Sequence, residues 1–136
     1  MRILQVLAGG THGGAETAFV DMCIAMKEAG ETVEVVTREN DVRLPRLLEA
    51  GLIVHTLSFG GKFDFLTTAR MKKNIRKFKP DIVQTWMSRA AVKTPRWNKS
   101  MNIPPYLTVA RLGGYYKIKY FKTTDYFVTI TPDLKR

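Results

Sequence analysis

The chain has 136 residues, of which 45% are hydrophobic and 25% charged, and this balance excludes a disordered segment and predicts one folded domain with a core. Its 22 Lys and Arg residues outnumber 12 Asp and Glu residues, giving a net charge of +10, so we expect an anionic partner such as nucleic acid, a membrane surface or a phosphorylated substrate. The single cysteine, Cys23, excludes an internal disulfide, and no apolar run reaches the ~18 residues of a membrane span.

Short apolar runs alternate with helical patterns along the whole chain. The apolar runs predict strands at 2–7, 32–37, 52–57, 81–85, 106–110 and 126–130. The segments between them predict helices at 15–29, 44–50 and 65–78, a helical stretch from Ala90 toward Trp97, and a helix start at 131–133. This alternation predicts an α/β fold with a Rossmann-like, doubly wound and mainly parallel sheet.

A glycine-rich loop joins the first strand to the first helix. Residues 8–16 read Ala-Gly-Gly-Thr-His-Gly-Gly-Ala-Glu, and glycine lets the backbone approach a ligand without a Cβ in the way. The free N–H groups and the dipole of the following helix favour an anion there. Alternatively, the glycines only form a tight turn and Glu16 only complements the helix dipole.

Three other loops follow predicted strands, at 86–89, 111–116 and near 131. Ligands of doubly wound sheets bind beyond the carboxyl ends of the strands, so these loops and the glycine loop are the expected site. The glycine loop fits neither the G-x-G-x-x-G dinucleotide pattern nor the Walker pattern. No metal-ligand spacing and no G-x-S-x-G nucleophile motif is present in the sequence.

Several of these segments occur together in one known family. Residues 13–16 (Gly-Gly-Ala-Glu), the strand at 79–85 and the strand at 126–131 resemble the N-terminal domain of GT-B-fold glycosyltransferases of the retaining family 4. The segment at 111–116, with Lys119 and Tyr120, resembles members that act on lipopolysaccharide or other cell-envelope glycans. The resemblance spans essentially the whole chain.

The resemblance implies a division of labour between two Rossmann-like domains. The C-terminal domain of such enzymes holds most of the nucleotide-sugar, and the N-terminal domain supplies the acceptor site. The glycines Gly13 and Gly14 would then lie beside the donor diphosphate and the transferred sugar. The acceptor would be bordered by His12, Glu16, Trp86, Ser88, Arg89, Arg111 and Tyr115. The family is expected to need no metal and no other cofactor.

One departure from the family pattern affects the catalytic assignment. Many members have a histidine near the reacting sugar, and Arg111 stands at that position here. An arginine cannot act as a base, although it can stabilise phosphate charge. No catalytic residue is therefore assigned from the sequence.

The resemblance also implies that residues 1–136 form an incomplete N-terminal domain without its nucleotide-sugar domain. We therefore expect the intact protein to be a hexosyl-type glycosyltransferase and this chain alone to be inactive. A sheet cut in this way has an unpaired edge, which permits a homodimer.

The predicted third helix carries a run of basic residues at 70–79. This run is either a solvated helix face or a docking surface for anionic lipid, with Phe59, Phe63 and Phe65 as interfacial anchors. Because the sequence has a single cysteine and no apolar run long enough for a membrane span, the expected location is the cytoplasm, with peripheral binding to the inner face of the membrane as the second case. His55, in the third strand, is predicted to be structural.

A second class of function is left open by the charge. The chain could be a basic α/β module that binds nucleic acid or anionic lipid without catalysis. Against nucleic acid, the aromatic residues are not interleaved with basic ones in a recognisable RNA-binding pattern.

Overall fold

The computed structural model describes residues 1–8, 14–39, 42–59, 65–112 and 124–129. The strands in these ranges are β1 (Arg2–Leu7), β2 (Thr32–Thr37), β3 (Ile53–Thr56), β4 (Ile82–Trp86), β5 (Leu107–Leu112) and β6 (Tyr126–Thr129). The helices are α1 (Gly14–Glu28), α2 (Arg43–Glu49), α3 (Phe65–Phe78) and α4 (Met87–Val92), with one 3₁₀ turn at Lys99–Met101.

The six strands form one sheet in the order β3-β2-β1-β4-β5-β6, and every neighbouring pair is parallel. The chain steps outward from β1 to β2 and β3, then returns through α3 to place β4 on the other side of β1. This strand order is that of the doubly wound dinucleotide-binding fold. The predicted Rossmann-like α/β fold is confirmed.

Side chains of β1 alternate between two buried layers. Leu4 and Val6 join a cluster with Met71 and Ile75 of α3, whereas Leu7 joins a cluster with Phe19 of α1. Such burial on both faces is the reason that the strands read as nearly continuous apolar runs.

Cys23, the single cysteine, is fully buried on α1. Burial raises the pKa of its thiol, so it remains protonated and unreactive.

The prediction of a loop at 86–89 is wrong. β4 continues through Trp86 because that residue pairs with Leu7 on one side and Arg111 on the other, and α4 follows directly from Met87. β5 also runs past the predicted boundary at Ala110, because Arg111 and Leu112 pair with β6. α4 ends at Val92 and does not reach toward Trp97, because Pro95 disfavours helix in that segment.

The expectation that Phe59 is an exposed membrane anchor is also wrong. Its side chain is 1% exposed and packs in the cluster beneath α3. Its backbone N–H donates a hydrogen bond to Thr67 Oγ1 at 3.1 Å, which joins this loop to the first turn of α3. Phe63 lies outside the described residues, and Phe65 is 73% exposed.

Candidate functional site at the carboxyl edge of the sheet

The strand order creates a crevice at the carboxyl ends of β1 and β4. Connections leaving β1 run toward β3, whereas β4 and β5 lie on the other side. Open α/β sheets bind ligands where the order reverses in this way. The residues that close this crevice are the end of β1, the start of α1 and the segment around Trp86.

α1 presents its N-terminus to this crevice. The helix begins at Gly14, with Glu16 in its first turn, as the sequence predicts to within one residue. The first-turn N–H groups of a 15-residue helix have no partner within the helix and carry partial positive charge. Gly13 and His12, which complete the predicted loop, lie outside the described residues.

Glu16 faces a buried arginine that the sequence pattern does not single out. Arg43, the first residue of α2, is 2% exposed, and its Nη2 donates a hydrogen bond to the carbonyl oxygen of Arg38 at 3.2 Å. Burial lowers the pKa of Arg43, the carboxylate of Glu16 opposes that shift, and the charge of Arg38 adds to it. Glu16 is therefore electrostatically coupled to a fixed cation behind it.

Trp86 is buried at the end of β4, with 1% of its surface exposed. Its indole N–H donates to Gln5 Oε1 at 2.8 Å, and its ring meets Phe19 edge-on with centroids 5.4 Å apart. Gln5 Nε2 in turn lies 3.0 Å from the Met26 sulfur. Both contacts hold the ring of Trp86 in the core, and its place beside the acceptor stays a prediction.

Arg111 lies over the face of Trp86. The guanidinium carbon is 4.5 Å from the ring centroid, since the two residues are register partners on β4 and β5. Burial lowers the pKa of Arg111, yet a guanidinium stays charged at physiological pH. Arg111 Nε is buried and has no hydrogen-bond partner among the described residues. The ring thus holds a cation at the carboxyl edge with a donor still available.

Two threonine hydroxyls at the same edge are also buried without a hydrogen-bond partner among the described residues. Thr37 ends β2 and Thr85 is the penultimate residue of β4, and the Oγ1 atoms of both are buried without a partner in the described part of the chain. Buried polar atoms are nearly always satisfied by protein, water or ligand. The two unpartnered hydroxyls therefore indicate a place at this edge where a water molecule or a ligand can complete the hydrogen bonding.

The remaining predicted site residues are placed only in part. Ser88 and Arg89 lie in α4, directly after Trp86, and their side chains are not described. Tyr115 lies outside the described residues. The structure therefore brings Gly14, Glu16, Trp86 and Arg111 to one edge, as the sequence predicts.

Gln5 and Arg43 are the polar residues that sequence reasoning missed. Gln5 has a recognisable signal, because a single polar residue inside an apolar buried strand must find a buried partner. Arg43 has no such signal, because no local sequence pattern predicts that its side chain is buried.

Within the described ranges, no cluster of His, Cys, Asp and Glu could hold a metal ion. The described helices include none that is long and apolar enough to cross a bilayer.

Comparison with known proteins assigns the chain to a family. The family model described as Glycosyltransferase Family 4 matches residues 12–136. The chain belongs to glycosyltransferase family 4. The match includes residues 12–16 of the glycine loop, the segment around Trp86, and Arg111, so most of the carboxyl edge lies within the part of the chain that matches the family.

Two curated relatives in Rhizobium meliloti (strain 1021) carry names from lipopolysaccharide synthesis. The lipopolysaccharide core biosynthesis glycosyltransferase LpsD is 31% identical over 137 residues, covering 98% of this chain and 38% of LpsD. LpsE, of the same description, is 30% identical over 129 residues, covering 92% of this chain and 36% of LpsE. The chain thus spans less than two fifths of the length of these relatives.

Solved glycosyltransferase structures share the fold. A glycosyltransferase from Rickettsia africae ESF-5 superposes with a TM-score of 0.76 at 17% identity, over 98% of this chain and 38% of that one. The lipopolysaccharide outer core galactosyltransferase WaaB gives 0.69 at 16% identity, over 99% and 41%. Anabaena HepE in complex with UDP-glucose gives 0.63 at 15%, over 90% and 32%. The fold is that of one Rossmann-like half of a GT-B glycosyltransferase, as predicted.

Proposed function

We propose that this chain is the acceptor-side domain of a retaining glycosyltransferase that transfers a hexosyl group from a nucleotide-sugar to a lipopolysaccharide-type glycan. The observation that carries the proposal is the family match over 12–136. The assignment of LpsD and LpsE to lipopolysaccharide core biosynthesis supports the acceptor class, and the UDP-glucose bound to HepE supports the donor class. The same comparisons do not favour the alternative of a nucleic-acid-binding module.

In this proposal the chain supplies positioning and charge stabilisation. Gly13 and Gly14 let the backbone approach the donor diphosphate, with the positive end of α1 behind them. Arg111 stabilises negative charge that develops on the leaving diphosphate or on an acceptor phosphate. The ring of Trp86 holds its guanidinium in place, so no reorganisation is needed during the reaction.

The acceptor would be held by side chains around the same edge. His12, Glu16, Ser88, Arg89 and Tyr115 are the proposed contacts. Glu16 accepts a hydrogen bond from a sugar hydroxyl, and the buried charge of Arg43 lies nearby. No metal and no cofactor has a part in this scheme.

The proposed location is the cytoplasmic side of the membrane. α3 carries five basic and no acidic residues, and Phe65 and Leu66 at its start are 73% and 58% exposed. A basic helix with exposed apolar residues at one end suits peripheral binding to anionic lipid. Binding to anionic vesicles should fall with rising salt, and no binding at low ionic strength would contradict this location.

Sugar transfer by the natural full-length polypeptide tests the function. The protein is incubated with UDP- and other nucleotide-hexoses and lipopolysaccharide core acceptors, and products are analysed by mass spectrometry. A gain of one hexose on the acceptor is expected, with the 136-residue chain alone as the inactive control. No transfer from any donor would contradict the function, and transfer by the short chain would contradict the division of labour.

A further inference from the structure

A basic pocket lies apart from the carboxyl-edge site, between β3 and α3. It has a volume of about 410 Å³, within the range of roughly 300–1,000 Å³ that suits small ligands. One wall is formed by His55 and Thr56 of β3, and the other by Arg70, Lys73, Asn74 and Lys77 of α3. We call these residues the β3–α3 pocket.

The three cations of α3 converge on this pocket because of their spacing. Arg70, Lys73 and Lys77 are three and four residues apart and therefore share one helix face. Among the described residues, none of the three forms an ion pair with a carboxylate. Like charges this close repel one another, so the arrangement favours an anion between them.

Glu34, an acidic residue near the pocket, is already engaged. Glu34 of β2 has its Oε1 2.8 Å from His55 Nε2, and both side chains are largely buried. This pair fixes the orientation of the imidazole and places the carboxylate charge against His55 rather than against α3. The pocket therefore keeps the positive character of its helix wall.

A second pocket connects this site to the carboxyl edge. It has a volume of about 370 Å³ and is lined by Arg38, Glu39 and Ser58 together with Thr56 and Leu57, which also line the first pocket. Arg38 and Ser58 follow β2 and β3 at their carboxyl ends. A ligand in the β3–α3 pocket can therefore extend toward the edge where Glu16 and Arg43 lie.

We propose that the β3–α3 pocket binds a phosphate monoester carried by the acceptor, which deepens the proposed function and rests on it. Arg70 offers a two-pronged donor to phosphate oxygens, and Lys73 and Lys77 act as point charges. Asn74 supplies a neutral amide. Arg70 and Lys77 are about 10 Å apart along the helix axis, a length that fits a phosphate together with its attached sugar.

The cations that line the pocket differ from the other basic residues of α3. Lys72 and Arg76 are exposed on the same helix but do not line the pocket. All five α3 cations contribute alike to the net charge of the helix, whereas a phosphate in the pocket contacts only those that line it. These two pairs of residues therefore provide a matched comparison.

The test uses the natural full-length polypeptide with no donor present. Glucose 6-phosphate, glucose, and vesicles of phosphatidic acid or phosphatidylcholine are titrated against wild type, Lys73→Glu/Lys77→Glu, and Lys72→Glu/Arg76→Glu. Both double variants change the charge by the same amount on exposed positions, and thermal unfolding checks that both are folded. We expect the pocket pair to weaken phosphate binding by about 10- to 100-fold, and the control pair by less than about threefold.

The two phosphate probes distinguish the source of the ligand. Pocket-dependent binding of glucose 6-phosphate supports a phosphorylated glycan, and pocket-dependent binding of phosphatidic acid vesicles alone supports a lipid phosphate. Equal weakening by both double variants, or no preference for either phosphate probe over glucose and phosphatidylcholine, would overturn the proposal. Because sugar transfer is measured separately, transfer without phosphate binding rejects the pocket alone, and phosphate binding without transfer rejects the enzymatic function alone.

Discussion

Two polar regions of this domain differ in how far their polar groups are buried. In the switch-point region, defined by Gln5, Trp86 and Arg111, Gln5 and Trp86 are buried and hydrogen-bonded to each other across the sheet, and the partly buried Arg111 stacks on the Trp86 ring. In the β3–α3 pocket, the cations Arg70, Lys73 and Lys77 are exposed. In the switch-point region, the contacts that set the geometry of the site also stabilise the fold. In the β3–α3 pocket, the side chains of the site contribute almost nothing to the stability of the fold.

This difference has energetic consequences. A cation over a tryptophan ring contributes about 0.5–1 kcal/mol at an exposed site and about 2 kcal/mol or more when it is desolvated, and the partly buried Arg111 lies between these limits. Neighbouring like charges on an exposed helix instead destabilise it by about 0.2–0.5 kcal/mol per pair. Substitutions should therefore affect stability in the switch-point region and ligand binding in the pocket.

Trp86→Ala should produce the largest effect. It removes a fully buried ring, leaves Gln5 Oε1 without its donor, and unstacks Arg111, so we expect a loss of about 3–5 kcal/mol in the free energy of unfolding. Denaturant unfolding measures it. Trp86→Phe serves as the control, since it keeps a ring under Arg111 and should cost less. A loss below about 1 kcal/mol for Trp86→Ala would show that this region does not support the fold.

Arg111→Ala should reduce kcat of the full-length enzyme by about 10²–10³-fold, the effect of removing one preorganised charge-stabilising donor. Arg111→Lys keeps the charge but loses the planar stack, so an intermediate rate is expected. The control is Arg46→Ala, whose exposed guanidinium pairs with Asp21 at 2.9 Å and should leave kcat within about twofold. Equal rates for Arg111→Ala and wild type would remove Arg111 from the site.

Gln5→Leu should cost about 1–3 kcal/mol of stability, because the indole N–H of Trp86 is left buried without an acceptor. Combining it with Trp86→Phe removes both partners and should cost less than the sum of the two single changes. A double-mutant cycle by denaturant unfolding measures this coupling. Strict additivity would mean that the 2.8 Å contact contributes nothing.

Lys73→Glu/Lys77→Glu should have the smallest effect on stability. The new carboxylates can pair with Arg70 and Arg76, but they repel each other and one of them lies in the last turn of α3 at the negative end of the helix dipole. We therefore expect the free energy of unfolding to change by no more than about 0.5 kcal/mol. Thermal unfolding at low and high salt measures it. A loss of several kcal/mol would show that the pocket is part of the fold, which would erase the contrast with the switch-point region.

The fold was predictable from the sequence because its strands are buried on both faces. Apolar runs such as Ile3–Leu7 and the glycines after them report local structure directly. Strand ends were less predictable: Trp86 and Arg111 read as loop residues, yet cross-strand pairing keeps them in β4 and β5. Local patterns carry no information about partners on other strands.

The candidate site was predictable as an edge but not as a set of contacts. The resemblance placed Glu16, Trp86 and Arg111 together and put Trp86 beside the acceptor. The buried ring of Trp86 is hydrogen-bonded to Gln5, which is 81 residues away in the chain. The inward turn of Arg43 and the packing of Phe59 beneath α3 likewise depend on tertiary contacts that spacing does not encode.

Hydrogen–deuterium exchange of the full-length protein, with and without a lipopolysaccharide core acceptor, shows directly whether the acceptor binds at the carboxyl edge. We expect added protection in peptides from that edge: the end of β1, the start of α1, the β4–α4 junction and the end of β5. Peptides from the opposite edge, such as the 3₁₀ turn at Lys99–Met101, should not change. Protection confined to that opposite edge, or no protection at saturating acceptor, would contradict the assignment of the site.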